Sequence, residues 1–275
     1  HAAGMDISYQ CITRGTTSDV YKVTLKFYRD CSGISVSNSY QLNYNSSCPS
    51  SSSSATLSKV GTSVDINPLC ASYCNGGSSF GIEEHTYQAT ITLAHCSNWV
   101  LSVCINARNG SISTITAPGS QPLCVQATLN NTLYGNNSPT FSQKPTPFLC
   151  ATNYYCYNNG AVEADGDSLV YSLITPLNTA AGGTVSYTTP YSSSNPVGGG
   201  SIFDPITGNL CITPPSSTSG ILALKVKEYR NGVMIGSIIR DIQINVFNCP
   251  SIPPPFLSGI DTTTVVNISN PVSYT

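Results

Sequence analysis

The stretch Asp19–Cys31, with the sequence DVYKVTLKFYRDC, alternates apolar and polar side chains with a period of two residues. One face carries Tyr21, Val23, Leu25 and Phe27, and the other carries Lys22, Thr24, Lys26 and Tyr28. This pattern is typical of a β-strand that has one face in a hydrophobic core and one face in water. We therefore expect the first set of side chains to be buried and the second to be exposed.

The same alternation recurs along the chain, in His85–Leu93, Asn98–Arg108 and Ile221–Arg230. No segment of helical length carries the apolar stripe of a surface helix. Asn231-Gly232 and Asn109-Gly110 each follow a predicted strand, and both residue types accept the positive φ of a type I′ turn, which predicts hairpins there. The sequence thus predicts an all-β protein made of two disulfide-rich, immunoglobulin-like β-sandwich domains in series.

The composition is that of a protein outside the cell. Charged residues make up only 9% of the 275 residues, with 11 basic and 13 acidic side chains and a net charge of -2. This balance argues against nucleic acid as a partner, because a surface that binds nucleic acid needs a basic patch. The chain begins with His1, which we interpret as a mature N-terminus left by a signal peptidase. The serine-rich segment Asn45–Ser58 is expected to be an exposed loop.

Membrane insertion is not expected, because no window approaches the roughly 18 uninterrupted apolar residues of a spanning helix. The most apolar stretch, Gly232–Phe247, contains Arg240 and Asp241. Twelve cysteines, an even number, predict six disulfide bonds formed in an oxidising compartment, and hence a secreted, extracellular or cell-surface location. The cysteines predicted to be oxidised are Cys11, Cys31, Cys48, Cys70, Cys74, Cys96, Cys104, Cys124, Cys150, Cys156, Cys211 and Cys249.

Two proline-rich segments, Ser138–Leu149 and Cys249–Ile260, divide the chain, since proline interrupts sheet ladders and stiffens linkers. The division predicts an N-terminal β-sandwich domain over 1–140, a second over 141–250, and a proline-rich linker with an extended strand over 251–275. Eight cysteines fall in the first domain and four in the second. Because both counts are even, we expect no disulfide bond between the two domains, while the pairing within each stays open.

Motifs of the second domain follow one another in a familiar order. GAVEADGDSLVYSL (Gly160–Leu173) precedes FDPITGNLCITP (Phe203–Pro214) and then a closing hairpin. This domain resembles a cadherin-like, immunoglobulin-like sandwich. Together with YKVTLKFYRDCSG (Tyr21–Gly33) and WVLSVCINARN (Trp99–Asn109), the chain resembles the N-terminal region of large secreted surface proteins of Bacteroidota, gliding-motility-associated or adhesin-like. The resemblance implies export to the cell surface, commonly by the type IX secretion route. It does not imply any catalytic motif.

An acidic turn predicts a candidate calcium site. Glu163, Asp165 and Asp167 lie at alternate positions and can direct hard oxygen ligands at one cation. The turn is not an EF-hand loop, because Ser168 and Ile174 stand where that loop has its glycine and its bidentate glutamate. A solvated acidic turn without an ion is the alternative, and no other cofactor is expected.

No catalytic constellation is predicted, so we expect that the chain is not an enzyme. Gly77–Gly81 fits the pattern G-x-S-x-G around Ser79, but a nucleophile elbow requires a strand before it and a helix after it. A cysteine-rich loop precedes this segment and a predicted strand follows it. His1, His85 and His95 are the whole supply of histidine and have no metal-binding spacing. A secreted hydrolase is therefore only the second alternative function.

Sugars are relevant in two ways. Sixteen tyrosines and Trp99 offer flat apolar faces with polar edges, which makes a carbohydrate-binding module of a larger surface adhesin the first alternative function. Asp167-Ser168-Leu169 and Asp261-Thr262-Thr263 resemble the Asp-(Ser/Thr)-hydrophobic acceptor of Bacteroidota O-glycosylation. Ser168 and Thr262 are therefore candidate glycosylation sites.

The C-terminal tail alternates like one more strand. One face of it carries Thr262, Thr264, Val266 and Ile268. The tail is either the first strand of a further domain or a strand that adds to a sheet edge of a neighbouring copy. We expect an extracellular structural or adhesive module of a bacterial surface fibre that self-associates through this tail. Its expected partners are further copies or downstream domains of a longer chain, and glycans.

Overall fold

The structure is a computed structural model that describes residues 2–31, 33–48, 50–66, 81–145 and 148–249. Within these ranges the regular structure consists of sixteen β-strands and one short 3-10 helix at Pro118–Ser120. The strands are β1 (Ala2–Arg14), β2 (Ser18–Asp30), β3 (Ser39–Ser47), β4 (Ser50–Asp65), β5 (Ile82–Ala94), β6 (Trp99–Ile105), β7 (Leu123–Leu129), β8 (Thr140–Phe141), β9 (Phe148–Cys150), β10 (Tyr155–Asn158), β11 (Ala161–Val162), β12 (Ser168–Ile174), β13 (Ser201–Phe203), β14 (Asn209–Ile212), β15 (Thr218–Arg230) and β16 (Val233–Phe247). The predicted all-β fold class is confirmed.

One large sheet contains eleven of these strands. Its order is β1-β2-β5-β4-β3-β6-β7-β16-β15-β12, and β9 pairs in parallel with β16. Because β16 also pairs with β1, the first eight strands of this order form a closed ring of pairings around the main core. Two small sheets, β10-β14-β13 and β11-β8, pack beside the large one.

Strand β16 joins the two predicted domains. One edge of it pairs with β7 through Gly236–Ile238 and with β1 through Arg240–Ile242, and both partner strands belong to residues 1–140. Its other edge pairs with β15 over thirteen residue pairs. The predicted boundary at residue 140 therefore runs through one hydrogen-bonded sheet, and main-chain hydrogen bonds hold the two parts side by side.

The core face predicted for β2 is confirmed. Its buried side chains are Tyr21, Val23, Leu25 and Phe27. Tyr28, which was predicted to face water, is buried as well. It lies in a second hydrophobic cluster with Leu149 and Ile242, so the second part of the chain covers this end of β2. The Tyr28 hydroxyl is satisfied there because it donates to Asp6 Oδ2 at 2.7 Å.

Of the two predicted hairpin turns, only one forms. Asn231 and Gly232 have φ values of 51° and 78°, and they join β15 to β16 as predicted. The prediction for Asn109-Gly110 is wrong, since neither residue has positive φ and the segment after them is not a strand. Instead, Asn109 closes a local turn, because its Oδ1 accepts the N–H of Ser111 at 3.1 Å and its carbonyl accepts the N–H of Ile112 at 3.2 Å.

Two segments predicted as loop and linker are parts of the packed fold. Of Asn45–Ser58, residues 45–47 belong to β3 and residues 50–58 to β4, and within them the serines at 52–54 are exposed whereas Leu57 is buried. The described residues of the proline-rich segment, 138–145 and 148–149, pack against the large sheet. Ser138 and Phe141 are buried, and the backbone N–H of Tyr9 donates to Ser138 Oγ at 2.8 Å.

Disulfide bonds fasten both parts of the chain. The bonds formed within the described ranges are Cys48–Cys96, Cys104–Cys124, Cys150–Cys249 and Cys156–Cys211. Cys31 is also disulfide-bonded, whereas Cys70 and Cys74 lie outside the described residues. None of these four bonds crosses between residues 1–140 and 141–250, in agreement with the prediction.

Cys11 is a free thiol, so the prediction that every cysteine is oxidised is wrong at this position. Its Sγ faces the backbone of Gly135, where an added Cβ would lie only 2.7 Å from the sulfur. Burial, helped by the nearby charge of Asp19, raises the pKa of the thiol.

Two buried ion pairs link β16 to the first part of the chain. Arg240 donates to Asp6 Oδ2 from Nε at 3.1 Å and from Nη2 at 2.9 Å. Arg108 forms a fork with the two carboxylate oxygens of Asp241, at 3.0 and 2.6 Å. The charged residues in the most apolar stretch of the sequence are therefore paired across the junction. In the described part of the chain no helix is long and apolar enough to cross a bilayer.

Candidate functional site

The candidate site is built around Glu228, a carboxylate buried on the core-facing side of β15. The Tyr9 hydroxyl donates to its Oε1 at 3.0 Å, and Asn136 Nδ2 donates to the same oxygen. Its Oε2 atom has no hydrogen-bond partner among the described residues. Burial is the main reason that the pKa of Glu228 rises to about 8, and nearby negative charges act in the same direction.

A glycine makes room for this carboxylate. Gly236 on β16 lies directly opposite Glu228, next to a register irregularity in the β15–β16 ladder. An added Cβ at Gly236 would collide with Glu228 Oε1 and would lie 2.5 Å from the Tyr9 hydroxyl. The sequence therefore keeps a side chain out of the space that the carboxylate occupies.

The acidic turn lies against Glu228. Glu163 closes this turn, because its carboxylate accepts the backbone N–H groups of Asp165 at 3.0 Å and Asp167 at 2.6 Å. Gly166 has a φ of 86°, which glycine adopts without strain. Glu163, Asp167 and Glu228 each offer a carboxylate oxygen, and these oxygens all lie within 4.8 Å of one another.

Asp165 has a different role from the one that the acidic pattern suggested. Its carboxylate points to the loop before β8, where it accepts the backbone N–H of Asn137 at 2.8 Å and Asn137 Nδ2 at 2.7 Å. The structure therefore brings together two of the three acidic residues predicted as calcium ligands and adds Glu228 to them.

Arg230 borders the cluster and balances part of its charge. It forms a fork with Asp167, from Nε at 2.7 Å and from Nη2 at 2.6 Å. Nη2 also contacts Asp165 at 3.3 Å, and these carboxylates raise the pKa of the guanidinium. The guanidinium lies over the ring of Tyr134, 4.8 Å from its centroid.

An exposed apolar patch lies next to Arg230. Its members come from the loop after β7 and from the β15–β16 hairpin, and they are Leu133, Tyr134, Val233 and Met234. Leu133 is 72% exposed and Tyr134 is 43% exposed. Both side chains line an open hollow together with Arg14 and Asp165. A flat aromatic ring beside hydrogen-bonding groups of both charges is suited to a polar ligand with an apolar face.

The other predicted site residues lie elsewhere. Ser168, the candidate glycosylation site, is exposed at the start of β12. Both described histidine rings form hydrogen bonds with carboxylates. His85 Nε2 lies 2.7 Å from Glu83 Oε1, and His95 Nε2 lies 3.1 Å from Asp19 Oδ1. The remaining predicted positions lie outside the described residues, and they are His1, Ser79, Thr262, Thr264, Val266 and Ile268.

Glu228 was absent from the sequence-based site, although the sequence carries a signal for it. In β15 the residue is in phase with Leu222, Leu224 and Val226, so the alternation places a carboxylate on the core face. A charged residue on such a face is rare unless it has a partner. Its neighbours in space, which come from other strands and loops, could not be read from this signal.

The chain was compared with protein-family models, with curated proteins and with solved structures. No family model, no curated protein and no solved structure matches it. The resemblance to Bacteroidota surface proteins therefore stays a prediction.

Proposed function

We propose that the chain is an extracellular structural and adhesive module of a bacterial surface fibre, in which copies join by addition of a β-strand. The observation that carries this proposal is the outer edge of β12, which is the last strand in the order of the large sheet. An edge strand with free backbone groups is a template for a strand of another chain.

The edge of β12 is largely open among the described residues. The Tyr171 N–H points outward and donates to the Pro205 carbonyl at 2.8 Å. Because alternate residues of a strand present their backbone groups to the same edge, the N–H groups of Leu169 and Leu173 point the same way. Neither of them has a backbone partner in the described ranges. Val170 is 42% exposed beside this edge, so an added strand would gain apolar contact.

The donor strand in this proposal is the C-terminal tail of another copy. Its alternating residues Thr262 to Ile268 lie outside the described residues. In the described part of the chain, Cys249, which leads into the tail, is bonded to Cys150 next to β16. A pull on the tail would therefore be transmitted to the sheet through a covalent bond. Main-chain hydrogen bonds would give affinity, and alternate side chains would set the register.

The disulfide bonds support an extracellular location and a mechanical role. Disulfides persist in oxidising compartments, and each typically stabilises a fold by about 2 to 4 kcal/mol. Two of the four bonds join directly paired strands, Cys104 with Cys124 and Cys156 with Cys211. Such bonds resist separation of neighbouring strands under load.

The proposal is tested by assembly of purified chain, followed by light scattering and negative-stain electron microscopy. The native chain is expected to form filaments. Deletion of Gly259 to Thr275 should give single particles, and so should Val170→Lys, because a charge on an edge disfavours strand pairing. Ile12→Lys is the matched control, since Ile12 is 52% exposed on another strand, and it should leave filaments intact. Filaments that persist after the deletion would show that the tail is not the connector.

Carbohydrate binding is a second candidate function, favoured by the exposed ring of Tyr134 next to Arg230. A sugar stacked on this ring would find hydrogen-bonding groups in Arg14, Asp165 and Arg230 around the same hollow. A glycan array read against the native chain and against Tyr134→Ala tests this candidate. The expected result is a set of glycans lost in the variant but kept in Tyr154→Ala, whose ring is 65% exposed elsewhere. An array without hits would exclude it for the glycans tested.

A further inference from the structure

We propose that Glu228, Glu163 and Asp167 bind one Ca²⁺ ion that fastens the acidic turn to strand β15. This site differs from the one predicted from the sequence, because it includes a buried residue of the sheet and leaves out Asp165. The inference does not depend on strand addition, since every group it uses belongs to a single chain.

The first argument is the state of Glu228. The residue is completely buried, and its Oε2 has no donor among the described residues. A buried acceptor without a partner costs free energy, and the cost is larger for a charged group. The carboxylate occupies the space beside Gly236, where any added Cβ would collide with its Oε1. A cation or a proton is needed to make the arrangement favourable.

The second argument is distance. The three carboxylate oxygens lie within 4.8 Å of one another. Two ligands on opposite sides of Ca²⁺ are separated by up to about 5 Å, because each Ca–O bond is about 2.3 to 2.6 Å long. For Mg²⁺, with bonds of about 2.1 Å, the same separation is only about 4.2 Å. The spacing is therefore compatible with one bound Ca²⁺ ion, and the flexible coordination of calcium suits carboxylates from a turn and a strand better than the strict octahedron of Mg²⁺.

The third argument is charge. Glu163, Asp167 and Glu228 would carry three negative charges when ionised, and Asp165 adds a fourth nearby. Arg230 forms ion pairs with Asp167 and Asp165, and its single positive charge offsets one of these four negative charges. An excess of three negative charges remains when all four carboxylates are ionised, and a divalent cation would offset two of them. Tyr9 and Asn136 already hold the other oxygen of Glu228, so the carboxylate is oriented before the ion arrives.

The experiment uses the intact, oxidised chain, freed of metal with a chelator and then titrated with CaCl₂ or MgCl₂. Isothermal titration calorimetry and thermal unfolding are the two measurements. We expect one Ca²⁺ per chain, weaker Mg²⁺ binding, and a rise of roughly 5 °C in Tm at a hundred times Kd. Binding of no calcium at millimolar concentration would overturn the proposal.

Three variants distinguish this site from its alternatives. Glu228→Gln and Glu163→Gln should each weaken Ca²⁺ binding by ~10-fold or more, because ligand charge sets affinity. Glu163→Gln changes a partly exposed residue, so it keeps the test valid if Glu228→Gln does not fold. Asp204→Asn, in an exposed turn between β13 and β14, is the control and should leave the affinity unchanged.

Two outcomes would contradict the proposal in specific ways. Calcium binding that survives Glu228→Gln but is lost in Asp165→Asn would place the ion in the exposed turn. If the native chain shows no calcium response and Glu228→Gln only raises Tm, a proton rather than a cation occupies the site.

Discussion

The buried ion pair between Asp6 and Arg240 offers a direct test of how the two parts of the chain are joined. The two residues face each other across the β1–β16 ladder, and the side chains of Asp6 and Arg240 are 6% and 1% exposed. Arg240 also donates to the carbonyl of Gln143 at 2.9 Å, and its guanidinium lies 3.8 Å from the ring centroid of Phe141. Asp6→Asn removes the charge but keeps the size of the side chain, so Arg240 is left buried without its counter-charge.

The expected loss is large because the partner stays buried. Removal of one member of a buried ion pair typically costs about 3 to 5 kcal/mol, whereas replacement of both members by uncharged groups is often close to neutral. We therefore expect Asp6→Asn to lower the free energy of unfolding by about 3 to 5 kcal/mol, and Tm by roughly 6 to 20 °C. The double variant Asp6→Asn with Arg240→Met should recover most of this loss.

The measurement is calorimetric and urea-induced unfolding of the native chain, the two single variants and the double variant under non-reducing conditions. Because β16 belongs to the same sheet as β1 and β7, we also expect a single unfolding transition that shifts as a whole. A loss below about 1 kcal/mol in Asp6→Asn would refute the reasoning, since that is the size expected of an exposed pair. Two separate transitions, only one of which moves, would show that the parts unfold independently.

Three further predictions concern the backbone and the cysteines. Gly236→Ala should destabilise the chain by about 1 to 3 kcal/mol in urea unfolding, because the added Cβ would displace the buried Glu228 side chain. Gly110→Ala is the control and should have little effect, since a Cβ added there meets nothing within 4 Å. Equal losses of stability in the two variants would contradict the prediction. Alkylation of the denatured, non-reduced chain should label Cys11, as read by peptide mapping, and an unlabelled Cys11 peptide would show that it is bonded. Serine at both Cys150 and Cys249, which close a loop of 99 residues, should cost about 4 to 5 kcal/mol by the chain-entropy relation, and a loss near zero would mean that the bond constrains little.

Much of the local structure could be predicted from the sequence, because it depends on neighbours along the chain. The alternation of Asp19–Cys31 places Tyr21 and Leu25 in the core, since successive side chains of a strand point to opposite faces. Asn231 and Gly232 form the predicted turn because positive φ is a local property of these residue types. Even cysteine counts also predicted correctly that the four described disulfides stay within each part of the chain.

Other features depend on contacts between distant parts of the chain, and the pattern could not supply them. Tyr28 follows the polar phase of its strand but is buried, because Leu149 and Ile242 cover it. Cys11 is a free thiol whose sulfur faces Gly135, and a count of cysteines along the chain could not identify which of them stays unpaired.

The candidate site shows the same division. The sequence by itself determined the acidic turn, since Glu163, Asp165 and Asp167 are close along the chain. Only the tertiary structure decided that Asp165 turns toward Asn137 and that Glu228 takes its place in the cluster. The physical reason is that a strand pattern states which face a side chain lies on, whereas the charges it meets there depend on how β15, β16 and the turn pack together.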